Sequence, residues 1–293
     1  MKTAIDTPIL TPGAGTVLIT GASSGIGRAT ALHSARKGWR VFASMRHPDK
    51  GEDLLDEAAR QGWRLTTPSL DVTRDDSVER AVSQVLAETR GRLDALINNA
   101  GYYCFGALEE VTPDELRAQL ETNVVGVHRV TRAVLPSMRA RGEGAVVTIG
   151  SVSGRVALPL VGPYHASKWA LEGMIESLRL EVSSFGIRVT LVEPGPFKTD
   201  LHAKEVLAAA SGKETSPYAP MLASYRRQSA RMHRADLDGL VDVIFRAATV
   251  SNPKLRWLVG PTSFSGGRLR PFVPDRLYEW VMKIAFGIRS PRR

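Results

Sequence analysis

Tyr164 and Lys168 stand four residues apart in Tyr164-His165-Ala166-Ser167-Lys168, and Ser151 precedes the tyrosine by thirteen positions. On a helix that spacing puts phenol and ammonium on one face. A cation held beside a phenol favours the phenolate and lowers a pKa that otherwise sits near ~10. A tyrosine tuned in this way can pass a proton at neutral pH. Such pairs also arise by chance on helix surfaces, so the surroundings decide what this one means. Trp169, Leu171, Met174, Ile175 and Leu178 continue an apolar helical pattern after it. The strand-like run 145–149 precedes it and leaves Ser151 at a strand's C-terminal end, where open α/β sheets hold their ligands.

The elements that must position these groups alternate along the chain. Residues 16–20 read as a buried parallel strand. The strand runs into Gly21-Ala22-Ser23-Ser24-Gly25-Ile26-Gly27, and a helical stretch with Ala29, Leu32 and Ala35 follows. Strand, glycine turn and helix in that order make a dinucleotide pocket, because glycines let the backbone approach a pyrophosphate and the helix N-terminus offers free N–H groups. An ordinary tight turn is the alternative. A second strand, 40–44, ends at Met45-Arg46, where many nucleotide folds carry an acidic residue for the ribose hydroxyls. None is present, and Arg46 is either a guanidinium fork for a phosphate or a solvated surface arginine. A helix over 53–60 and a strand around Leu65 lead to Asp71, which can accept from an adenine amino group or cap the next helix, 75–89.

The fourth strand, 93–97, ends in Asn98-Asn99-Ala100-Gly101, which is either turn chemistry or a stiffened sheet edge beside a cofactor. A long helix begins near Pro113 and carries Asn123 in its middle. Asparagine suits a helix interior poorly, so a missing ladder hydrogen bond or an ordered water should accompany it. The sixth strand, 187–192, ends in Glu193-Pro194-Gly195-Pro196. Residues 197–232 mix Gly, Ser, Thr and Pro with short apolar pieces and read as a lid beside a cleft or a surface excursion. A helix over 237–248 and a strand over 255–259 complete the alternation. The pattern predicts a single α/β domain over 1–293, with a doubly wound, mostly parallel sheet and helices on both faces. It is framed by a lead-in, 1–15, and a basic extension, 262–293.

Composition limits the functions this fold can serve. The chain has 293 residues, 43% of them hydrophobic, and one cysteine, Cys104, which excludes an internal disulfide framework and fits a cytoplasmic protein. No apolar run approaches the ~20 residues of a membrane span, and the N-terminus lacks a secretory apolar core. The net charge of +9 is concentrated in the tail, where nine Lys/Arg from Asn252 onward face only Asp275 and Glu279, so no nucleic-acid groove is expected. The tail stripe Leu277, Tyr278, Val281, Met282, Ile284 and Ala285, with Arg276, Lys283 and Arg289 near it, predicts a helix. That helix either packs over a substrate cleft or docks on anionic lipid. Cys104 reads as a packed small hydrophobe, His165 points away from the tyrosine's face, and no His/Cys cluster implies a metal. Tyr103, Phe105, Leu158 and Phe197 sit near strand ends and form either an apolar substrate wall or core.

Taken in order, Thr20 to Gly27, Asp71, Asn98 to Gly101, Asn123, Ser151, Tyr164/Lys168 and Pro194-Gly195 resemble the short-chain dehydrogenase/reductase family over nearly all the chain, from Thr16 to Val259. Residues 41–46, 162–164 and 256–260 look like the branch containing 17β-hydroxysteroid and retinol dehydrogenases. The resemblance implies a Rossmann-type sheet of strand order 3-2-1-4-5-6-7 and an NADP(H)-dependent alcohol/ketone oxidoreductase. Its substrate would be apolar, of steroid, retinoid or fatty type. Tyr164 would exchange a proton with the substrate oxygen, Ser151 would polarise that oxygen, and Lys168 would lower the tyrosine pKa and hold the nicotinamide ribose. Asn123 would hold a water leading from Lys168 to solvent. Gly21, Ser23, Ser24, Gly25, Ile26, Gly27, Arg46, Asp71, Val72, Asn98, Ala100, Pro194 and Gly195 would line the cofactor, and Thr199 would bind its carboxamide. A homo-oligomer joined through the Tyr164-bearing helix is also implied.

Overall fold

The apolar runs of the sequence become seven parallel strands of one sheet: β1 (Thr16–Ile19), β2 (Arg40–Ala43), β3 (Leu65–Thr66), β4 (Ala95–Asn98), β6 (Gly144–Ile149), β7 (Ile187–Pro194) and β9 (Arg256–Val259). In the computed structural model their order is β3-β2-β1-β4-β6-β7-β9, which is the expected 3-2-1-4-5-6-7 when only these strands are counted. Residues 15–199, 205–232, 234–260 and 267–288 are described. The lead-in 1–14, residues 200–204 of the expected lid, 261–266, and Arg289 with the rest of the tail lie outside them.

Alternate side chains of each strand enter different layers, which is why the strands read as unbroken apolar runs. Val17, Ile19, Val41 and Ala43 pack with Ala31 and Ala35 of α1 (Gly25–Arg36) and with Leu240 and Ile244 of α8 (Asp238–Thr249). On the opposite face Leu18, Phe42, Leu96 and Val146 pack with α3 (Asp75–Glu88), α5 (Gly126–Arg141) and α6 (Gly162–Glu181). A further helix, α2 (Glu52–Gln61), joins β2 to β3. The register pairs Ile19 with Ala43 and Ile97, Ile97 with Val147, Ile149 with Val192, and Pro194 with Val259. Thr20, Ser44, Asn99, Ser151 and Gly195 therefore leave the sheet along one edge.

The helix expected from Pro113 is in two parts, α4 (Pro113–Leu120) and α5, joined by a π-helical turn over Glu121–Val125. Thr112 and Glu115 form a reciprocal capping box that fixes where α4 begins. The expected lid is more structured than its composition implied. It contains β8 (Val206–Leu207), paired in parallel with β5 (Cys104–Phe105), and α7 (Ala219–Arg231). The final helix is α9 (Asp275–Phe286).

Candidate active site

At the end of β1 the chain turns at Gly21, whose φ of +67° and 2.7 Å clearance from a Cβ to the Ala100 Cα leave no room for a side chain. Gly27 lies beneath it, where a Cβ would collide with Asn99 Nδ2 and the Gly21 carbonyl. Asn99 Nδ2 donates to the carbonyls of Thr20 (2.9 Å) and Gly21 (3.0 Å), and Thr20 Oγ1 accepts from the Asn99 and Ala100 N–H groups, both at 3.0 Å. The ends of β1 and β4 are thus laced together. The Asn98 side chain donates to Thr131 Oγ1 on α5 at 2.9 Å, while Asn99 and Thr20 shape the turn. Helix α1 opens at Gly25 without an acidic residue in its first turn or a side-chain cap from Ser24. Thr199 reaches this turn, 3.5 Å from a Cβ placed on Gly25.

At the neighbouring edge Met45 is 2% exposed and packs over Gly51 and Thr67, while Arg46 faces solvent. Asp71 Oδ1 accepts from the Thr73 N–H (3.0 Å) and hydroxyl (2.8 Å), closing the turn before α3, whose N-cap is Arg74. Desolvation pushes the Asp71 carboxyl upward. The two Thr73 hydrogen bonds and the charges of Arg46 and Arg74 overcome it and hold the group below its usual range. Val72 is buried against Gly126.

At the end of β6, Ser151 opens a short helical turn and its Oγ accepts from the Ser153 N–H at 3.1 Å. The Ser151 hydroxyl also faces the Tyr164 phenol and acts to lower its pKa. Lys168 follows one turn later on α6 and donates to the Ile149 carbonyl at 2.8 Å, with Nζ 5.5 Å from the centre of the Tyr164 ring. The electrostatics differ from the expectation. Burial pushes the tyrosine up to about 12 against the lowering effect of the Ser151 hydroxyl, and it pushes Lys168 down to about 8 against the Glu172 carboxylate. The ammonium lies over the ring and faces a backbone carbonyl, so in this geometry the desolvation of the phenolate outweighs it.

Two further polar groups brace these residues. Asn123, in the π-helical turn, accepts from the Tyr102 N–H and donates to the Tyr102 carbonyl and to Ser167 Oγ, each at 3.1 Å. The altered helical ladder expected around Asn123 is thus present, and its side chain ties the loop after β4 to α6. His165 accepts at Nε2 from the Leu158 N–H (2.8 Å), which makes Nδ1 the donor to the Ser153 carbonyl (2.9 Å). It points away from the tyrosine's chemistry, as expected, yet it fixes the loop that carries Ser151. Behind Lys168, Arg155 pairs with the fully buried Glu193, and Arg256 Nε donates to Glu172 Oε2 at 2.7 Å. Burial pushes the Glu172 carboxyl up to about 7; Arg256 opposes the shift and Glu193 adds to it. Nothing in the spacing of Arg155, Glu172, Glu193 and Arg256 announced this network, because four separate elements supply it.

Above the tyrosine, Tyr103, Phe105, Leu160, Leu222, Tyr225 and Phe286 form an apolar cluster with Tyr164, and Leu158 packs at its rim. The ring centres of Tyr103 and Tyr164 are 4.8 Å apart, and the Tyr103 and Tyr225 hydroxyls hydrogen-bond each other. Of the four residues read as substrate wall or core, Phe197 lies apart from this cluster. It packs in the α1/α8 layer and against Gly260, because the chain after Gly195 turns to that face. Cys104 is buried, as expected of a small hydrophobe. One face of helix α9 packs on the body and on α7: Tyr278 donates to the Ala157 carbonyl and Gln228 of α7 donates to the Ala285 carbonyl, both at 2.5 Å. Helices α7 and α9 together cover a site whose Ser151, Tyr164 and Lys168 are each 9% exposed or less.

The family described as short chain dehydrogenase matches residues 15–209. This protein belongs to that family. Among short-chain dehydrogenases it is 35% identical over 279 residues to a 3-ketodihydrosphingosine reductase of Bacteroides thetaiotaomicron, covering 93% of this chain and 98% of that one. It is 31% identical to an NADPH-dependent 3-dehydrocapnine reductase of Ornithobacterium rhinotracheale, covering 90% and 94%. Human retinol dehydrogenase 8 is 40% identical over 193 residues, 64% of this chain and 61% of its own length, in keeping with the branch read from the sequence. A crystal structure of a short-chain dehydrogenase from Streptomyces avermitilis superposes with a TM-score of 0.79 at 36% identity, covering 94% of this chain and all of that one.

The nicotinamide cofactor of the family fits the residues present. A turn closed to any side chain at Gly21 and Gly27 leads into the N-terminus of α1, whose first turn carries no acidic side chain, which suits a pyrophosphate. The ionised Asp71 and the exposed Arg46 border the same edge.

Proposed function

We propose that the chain is an NADP(H)-dependent oxidoreductase that interconverts a carbonyl and an alcohol on an apolar substrate. When bound, the cofactor supplies or accepts hydride. Residues 21–27, Asp71, Val72, Asn98, Ala100, Pro194, Gly195 and Thr199 would hold it, Arg46 its 2′-phosphate, and Tyr164 and Lys168 the ribose near the reacting ring.

The observation that carries the reading is the buried pair of Tyr164 and Ser151 hydroxyls beside the aromatic cluster of Tyr103, Phe105 and Tyr225, with Lys168 Nζ over the Tyr164 ring. A substrate oxygen reaching that hydroxyl pair is polarised by Ser151 and takes its proton from Tyr164 Oη; oxidation returns it. A phenol held near 12 stays protonated at neutral pH, which suits the acid role needed for reduction. Lys168, with a pKa near 8, is poised to return the proton, and Asn123 holds the backbone beside it. The apolar cluster excludes water and favours steroid-, retinoid- or fatty-type ketones. A panel of such ketones with NADPH consumption as readout tests the reading, and absence of turnover across it would leave a nucleotide-binding scaffold. Trp169 and Leu180 of α6, 53% and 73% exposed, support self-association through the Tyr164-bearing helix, which analytical ultracentrifugation tests.

A further inference from the structure

Helix α9 has two apolar faces, and the fold uses one. Tyr278, Met282 and Phe286, at positions i, i+4 and i+8, turn towards α7 and the site. Leu277, Trp280, Val281 and Ile284, at i, i+3, i+4 and i+7, share the opposite face, and Trp280 and Ile284 are 60% and 62% exposed. Phe272, 82% exposed, and Leu269 extend this patch into the preceding turn. Six of the thirteen large apolar side chains exposed among the described residues thus fall within sixteen positions, too concentrated for scattered surface residues.

The charge beside the patch identifies its occupant. Arg276 and Lys283 recur seven residues apart along one flank of the exposed face, and Arg268 and Arg270 lie just before the helix. Asp275 and Glu279 offset part of this charge through Arg270 and Lys283, and the sequence then adds Arg289, Arg292 and Arg293. An apolar strip with an interfacial tryptophan and a basic border suits the boundary of an anionic bilayer. A second copy of this chain would bring the same basic flank against itself. Among the described residues no helix is long and apolar enough to cross a membrane.

We propose that the outer face of α9, with Leu269 and Phe272, docks the protein on an anionic lipid surface, lying in the interface without spanning it. The proposal rests on this surface and does not depend on the substrate class proposed above.

The test uses the full-length protein with vesicles of phosphatidylcholine alone or mixed with phosphatidylglycerol, separated by sedimentation. Wild type should sediment with the anionic vesicles at low salt and be released as salt rises. Trp280→Ser/Ile284→Ser should lower the partition coefficient at least about tenfold. Arg276→Gln/Lys283→Gln should lower it about twenty-fivefold, from about fivefold per basic charge. Both pairs are exposed, and unchanged NADPH binding and melting temperature verify that the variants fold. No sedimentation with anionic vesicles at low salt overturns the proposal, as does equal binding to neutral vesicles or binding that neither variant weakens. A wild-type dimer that Trp280→Ser/Ile284→Ser splits, with no vesicle binding, would assign the face to a second copy.

Discussion

Replacing Arg46 by Ala isolates the basis of cofactor choice. Arg46 is exposed after β2, and its charge acts on the Asp71 carboxylate, so part of its field is already engaged. A charge-assisted hydrogen bond to a phosphate contributes about 1.5–3 kcal/mol. Exposure and the share taken by Asp71 put this contact at the lower end, and ~1.5 kcal/mol corresponds to about tenfold in affinity. Arg46→Ala should therefore raise the NADPH Michaelis constant about tenfold and leave that for NADH nearly unchanged. The same ratio should appear for 2′,5′-ADP against 5′-AMP as inhibitors, which reads the phosphate without the chemistry. Equal losses for both cofactors, or a wild type with kcat/KM for NADH at least equal to that for NADPH, would refute the assignment. Met45→Asp, the other route to reversal, is less clean. Met45 packs against Gly51 and Thr67, so a carboxylate there is desolvated and the switch should come with a lower melting temperature.

Three more outcomes follow from the site. Tyr164→Phe should abolish nearly all turnover while NADPH affinity, measured by fluorescence titration, stays within about twofold, and near-normal kcat would remove the tyrosine from the mechanism. Glu172, raised to about 7 from its ordinary 4.5, binds its proton more tightly folded than unfolded, so its contribution to stability is present below about 4.5 and is lost as pH rises to about 7. Glu172→Gln should flatten the fall in melting temperature across that window, and parallel curves for the two proteins would show that Glu172 is not its source. Tyr103→Phe removes the hydrogen bond of the buried Tyr225 hydroxyl and should destabilise by about 1–3 kcal/mol, whereas the Tyr103→Phe/Tyr225→Phe double variant should cost less than the sum of the two single variants. Strict additivity in urea unfolding would show that the two hydroxyls are not coupled.

The parts of the fold legible in the sequence are those governed by local pattern. Buried parallel strands declare themselves as β-branched runs, and Gly21 to Gly27 declare a turn that admits no side chain. Tyr164 and Lys168 declare their shared face by spacing alone. Asn123 announced a disturbed helix for a sound reason, since its amide groups satisfy the backbone of Tyr102 from a π-helical turn. What pattern could not reveal depends on chain turns and long-range contacts. Phe197 is apolar and near a strand end in either reading, and only the path after Gly195 sends it to the α1/α8 layer. The two asparagines at the end of β4 differ by one residue in a two-residue period, so the side chains of Asn98 and Asn99 leave in different directions. The pKa of Tyr164 was misjudged because spacing reports the nearness of Lys168 but not the burial of both groups.

The cover over the tyrosine is held quite differently from the sheet beneath it. Helices α7 and α9 add no strand to the sheet; the Tyr225 and Tyr278 hydroxyls tie them to the body, Gln228 joins the two helices to each other, and Leu222 and Phe286 pack below. The sheet is buried on both faces and bonded strand to strand, so its amides should exchange with solvent only on global unfolding. Amides of α7 and α9 should exchange through openings of much lower free energy. Ser151 and Tyr164 are 9% and 7% exposed, so large molecules reach them chiefly during those openings. If the proposed function holds, the frequency with which α7 and α9 lift sets an upper limit on turnover, whatever the speed of proton transfer below them.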